Sequence, residues 1–104
     1  MIDERLKQIA DHYGLDEQLN MLQEECAELI QAVSKYRRTG KLENLDEEIT
    51  DVKILLQQID YLLDQHFIGF IMHSDEAYKY WSEKKITRQL ERIQHESELG
   101  HKDS

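Results

Sequence analysis

Proline is absent from the 104-residue sequence, glycine occurs only four times and cysteine once. Without proline, nothing strips a backbone donor from a helix interior, and with so little glycine few positions favour a turn. Leu, Glu, Gln and Lys are abundant instead, residues that lose little side-chain freedom in a helix. A mostly β fold is therefore disfavoured. The lone Cys26 leaves no intramolecular disulfide framework and no thiolate zinc cluster, so a reducing cytoplasm is the expected compartment. Long apolar runs are missing too. The longest, Phe67 to Met72, falls far short of the roughly 20 residues that cross a bilayer. The first residues, Met1-Ile2-Asp3-Glu4-Arg5, carry neither a basic lead nor an apolar stretch of signal-peptide length. The reading is a soluble protein with no membrane partner.

Positive charge is also in short supply, with 13 bases against 22 acids and a net charge of −9. That balance repels polyanions, so no nucleic-acid partner is expected. A small phosphate substrate stays admissible if a metal ion stands between acid and phosphate.

What is present reads as one all-α domain over residues 1–104 with a short frayed tail at about 98–104. Four helical segments are expected. The first, about Asp3 to Tyr13, carries Leu6, Ile9 and Ala10 and stops at Gly14. The second, about Asp16 to Arg38, has an apolar stripe of Leu19, Leu22, Cys26, Leu29, Ile30 and Val33 and ends at Thr39-Gly40. The third starts near Asn44 as N-cap, with Asp46, Glu47 and Glu48 in its first turn, and its stripe runs from Leu45 through Ile49, Val52, Leu55, Leu56, Ile59 and Leu62 to Leu63. Ser74 or Asp75 caps a fourth, about Asp75 to Glu96. On it, Ala77, Tyr80, Trp81 and Lys84 lie roughly opposite Ile86, Leu90 and Ile93, so its two halves are expected to pack against different surfaces.

The two central helices carry matched acidic clusters, Glu24-Glu25-Cys26-Ala27-Glu28 and Glu47-Glu48-Ile49-Thr50-Asp51. Glu25 with Glu28, and Glu48 with Asp51, are three residues apart and hence neighbours on a helix surface. At 100° per residue Glu48 falls about 40° from Val52 and about 20° from Leu55, inside the apolar stripe, while Glu25 sits between Leu22 and Leu29. If the helices fold back on each other through residues 39–44, up to four carboxylates converge near the core. Unpaired, they would cost several kcal/mol or more. A hard divalent cation, Mg²⁺ or Mn²⁺, suits an all-oxygen set. Solvated surface acids are the competing reading of either cluster alone. No Glu-x-x-His, EF-hand, P-loop or zinc-type His pair is present.

With these motifs the sequence resembles the MazG-like, all-α nucleoside triphosphate pyrophosphohydrolases, whose pattern is Glu-Glu-x-x-Glu on one helix and Glu-x-x-Asp on the next. Here it reads Glu24-Glu25-Cys26-Ala27-Glu28 and Glu48-Ile49-Thr50-Asp51, with 19 residues between Glu28 and Glu48. The resemblance spans about residues 10–95 and is most specific over 18–60. It implies a four-helix bundle-like fold and an oligomer, a homodimer or homotetramer. It also implies Glu25, Glu28, Glu48 and Asp51 as Mg²⁺ ligands, Glu24 as a supporting or additional ligand, and a catalytic set of Glu24, Glu25 and Glu48. The reaction it implies takes a nucleoside triphosphate to the monophosphate and pyrophosphate, to clear unwanted nucleotides. The similar motif of phosphoribosyl-ATP pyrophosphatase and a non-catalytic helical oligomerisation module are the alternatives.

The resemblance assigns substrate phosphates to Lys84, Lys85 and Arg88, which share one face of the last helix; a solvated basic face is the plainer reading. Trp81 stacks on a base or packs in a core or interface. Gln18 and His12 are candidates for a base edge, and Met21 for packing. Lys53, two residues after Asp51, departs from the family pattern. The apolar segment His66 to His73 is the candidate subunit contact.

Overall fold

The computed structural model describes residues 2–66 and 74–100, and among these it is all-helical. Three helices are present: α1 (Glu4–Thr39), α2 (Glu43–His66) and α3 (Ser74–Gly100). The first two expected segments both lie within α1, which is numbered as a single span. Gly14 nonetheless interrupts it with φ 81° and ψ 166°, a conformation essentially reserved for glycine.

Asp3 caps α1, its side chain accepting from the Arg5 backbone N–H at 2.9 Å. At the far end Gly40 takes the left-handed conformation, φ 72° and ψ 7°, and its N–H donates to the Tyr36 carbonyl at 2.7 Å. Three residues later α2 has begun. It starts at Glu43, ahead of the expected Asn44 cap, because the Leu42 carbonyl accepts from the Asp46 N–H at 2.8 Å and opens the ladder there. A Cβ at Gly14 or Gly40 would meet nothing within 4 Å, so substitution tests backbone strain alone. Gly40→Ala is expected to destabilise the protein by about 1 kcal/mol and Gly14→Ala by about 1–3 kcal/mol. Denaturant titration showing both variants at wild-type stability would contradict these conformations.

Two units make up the chain, residues 1–69 and 70–104. In the first, α1 and α2 pack as an antiparallel pair. Their level is set by Tyr61 near the end of α2, whose hydroxyl donates to both carboxylate oxygens of Asp11 near the start of α1, at 2.9 and 3.1 Å. The core comprises Ala10 and Ala32 from α1 with Leu55, Ile59 and Leu62 from α2. The α2 stripe is thus buried or half-buried as expected, apart from exposed Leu56. The expected α1 stripe is so only in part: Leu22 and Leu29 are half-buried, whereas Leu19, Cys26, Ile30 and Val33 are exposed, since α2 covers only one face of α1. Two glutamines enter the core instead, Gln18 with no accessible surface and Gln58 at 3%.

The second unit contributes α3, which has no buried residue. It reaches Gly100, so residues 98–100 of the expected tail are helical. Trp81 and Tyr80 meet edge to face at 5.1 Å, and Ile86, Leu90 and Ile93 are exposed. The proposed subunit contact lies outside the described residues, apart from His66 at the end of α2.

Candidate metal centre

Antiparallel packing places residue numbers of α1 and α2 that sum to the low seventies at one level, as Asp11 and Tyr61 do. Glu25 therefore comes abreast of the first turns of α2, where the i, i+3 pair Glu48 and Asp51 projects from the same face. One carboxylate oxygen from each of Glu25, Glu48 and Asp51 lies within 4.8 Å of the others. Glu28, one turn beyond Glu25, lines the same groove as Glu48.

Half-burial and crowding leave these acids short of compensation. Glu25 Oε2 and Glu48 Oε2 are buried with no hydrogen-bond partner among the described residues. The Glu25 carboxyl is pushed up to about 6, first by loss of hydration and then by the negative charges of Glu28, Asp51 and Glu48. Glu48 is raised above the ordinary carboxylate range by loss of hydration first, then by Glu28, Asp51 and Glu47. Only carboxylate oxygens face one another, a donor set that fits a hard divalent cation and offers nothing to a soft one. Glu25, Glu48 and Asp51 are the residues that could hold it, with Glu28 beside them.

The remaining candidates are placed differently. Glu24 is exposed on α1, outside the three-carboxylate group. Gln18 is buried, its Nε2 3.7 Å from the Met21 sulfur and its Oε1 without a hydrogen-bond partner among the described residues. His12 is exposed and meets Tyr13 edge to face at 4.8 Å. In the second unit, Lys84 Nζ sits 4.8 Å from the Tyr80 ring centroid and Lys85 Nζ 5.9 Å from that of Trp81. Arg88 is exposed on the next turn.

Sequence reasoning passed over Gln58 and the Asp11–Tyr61 bond. A signal for Gln58 exists: it stands three residues after Leu55 and four before Leu62, inside the α2 stripe. No protein-family model, curated protein or solved structure matches the chain.

Proposed function

We propose that the chain is a magnesium-dependent nucleoside triphosphate pyrophosphohydrolase of the MazG-like kind, converting (d)NTP to (d)NMP and pyrophosphate in nucleotide-pool housecleaning. The observation that carries this reading is the convergence of Glu25, Glu48 and Asp51 within 4.8 Å, with two of their oxygens buried and unpartnered. Manganese is a workable substitute because it accepts the same oxygen ligands.

In this reading Glu25, Glu48 and Asp51 hold the ion, and Glu28 completes the acidic rim. A bound divalent cation supplies charge neutralisation at the triphosphate and makes an attacking water more acidic. Glu24, exposed and outside the three-carboxylate group, is proposed as the carboxylate that would accept a proton from such a water. Lys84, Lys85 and Arg88 are proposed to meet substrate phosphates, with Trp81 as a base contact; Gln18, expected at a base edge, has no accessible surface and so is placed in the core instead. The assembly is proposed as a cytoplasmic homodimer or homotetramer. Exposed Ile30, 68% accessible in the last third of α1, supports the presence of further covering helices.

The test is a panel of canonical, deoxy and oxidised triphosphates, with phosphoribosyl-ATP added, assayed for pyrophosphate with Mg²⁺, with Mn²⁺ and with chelator. Release that needs metal is the expected result. Preference for phosphoribosyl-ATP would move the assignment within the same chemistry. No release from any substrate would leave a non-catalytic helical module.

A further inference from the structure

The groove beside the carboxylates is not purely acidic. It encloses about 630 Å³ and is lined by Glu28, Lys35 and Arg38 from α1 and by Asn44 and Glu48 from α2, among others. Lys35 and Arg38 stand seven and ten residues after Glu28, so they follow it along one face of the last turns of α1. The short turn at Gly40 brings this end of α1 against the start of α2, which is why a cationic pair and the carboxylates share one cavity. Neither Lys35 nor Arg38 forms an ion pair among the described residues, so their charges are not spent on the neighbouring acids.

We propose that Lys35 and Arg38 bind the polyphosphate chain of a metal-bound substrate, the guanidinium gripping two oxygens and the ammonium acting as a point charge. The inference rests on the metal-centre reading and adds the residues that receive the anion. Without a cation among them, Glu28 and Glu48 repel an anion from this groove; with one present, the groove runs from positive metal to positive side chains. Anion binding is therefore conditional on metal. Asn44 adds an amide donor at the same level.

Inorganic pyrophosphate is the probe, titrated calorimetrically into the full chain with saturating Mg²⁺ and again with chelator. Binding is expected only with metal. Lys35→Gln and Arg38→Gln are each expected to weaken it about tenfold or more, the usual loss for a charge-assisted hydrogen bond. Lys53→Gln makes the same charge change outside the groove and is expected to change affinity less than about twofold, because a solvent-screened charge acts weakly. Mn²⁺ affinity, read by electron paramagnetic resonance, should be unchanged or higher in all three variants. Metal binding with undiminished pyrophosphate affinity in Lys35→Gln and Arg38→Gln overturns this proposal alone, as does an equal loss in Lys53→Gln. A wild-type protein that binds no Mn²⁺ overturns the metal centre along with it.

Discussion

Glu48→Gln is expected to lower pyrophosphate release at least about a hundredfold while leaving the metal-free fold as stable as before or more so. Loss of groups that merely support metal ligands costs about 10–100-fold, and a direct ligand costs at least as much. The amide keeps the shape of the side chain but removes the charge a hard cation requires. In the absence of metal the same change is a relief. Glu48 has a buried oxygen without a partner and is crowded by Glu28, Asp51 and Glu47. Thermal unfolding with chelator should show a midpoint at or above that of the wild type. With metal, the wild-type midpoint should climb, by the equivalent of about 2.7 kcal/mol at a hundred times the dissociation constant, and the variant's should not. A purely structural glutamate behaves oppositely: its loss lowers the midpoint in chelator, and that result would sink the assignment.

The second large effect is on pH. Between its ordinary value of 4.5 and its value in the fold of about 6, Glu25 binds a proton more tightly in the folded chain than in the unfolded one. Stability of the metal-free protein from this group is therefore greatest below about pH 4.5 and declines as pH rises through about 6. Metal affinity runs the other way, because the ion must displace that proton. Mn²⁺ binding is expected to fall by up to about tenfold per pH unit below about pH 6. Unfolding midpoints at pH 5, 6 and 7, with chelator and with Mn²⁺, measure both slopes. Glu25→Gln isolates the group: the wild type should gain on the variant as the pH falls in chelator. A wild type that instead loses ground to Glu25→Gln on acidification would show Glu25 to be stabilised by its surroundings as an anion.

Much of the first unit was legible in the sequence because local rules and tertiary packing agree there. Gly14 and Gly40 stand where the helical pattern pauses, and both adopt positive φ. The carboxylates were legible for a related reason. Acids three apart at the edge of an apolar stripe have one place to go once the helices pair, and Glu25, Glu48 and Asp51 meet. Two kinds of feature escaped. Gln18 and Gln58 are buried although their chemistry reads as surface, and for Gln58 the one available signal was its place inside the α2 stripe. Asp11 and Tyr61 are 50 residues apart, beyond the reach of any spacing rule. The α1 stripe misled in the other direction: apolar periodicity marks a face able to be covered, and α2 covers only part of it, leaving Leu19 and Val33 exposed.

The interruption at Gly14 bears on how the chain tolerates changes of length. An unbroken helix transmits every insertion as a rotation of about 100° to all that follows. At Gly14 the backbone has already left helical geometry, so a residue gained or lost there can be absorbed by the break, and the first ten residues of α1 can shift without turning Glu25. Between Glu25 and Asp51 no such joint exists except the Gly40 turn, whose three residues leave no slack. Those 27 residues form a segment of fixed length, within which one added residue on α1 would swing Glu25 away from Glu48. Length variation is thus permitted at the amino end and forbidden across the carboxylates.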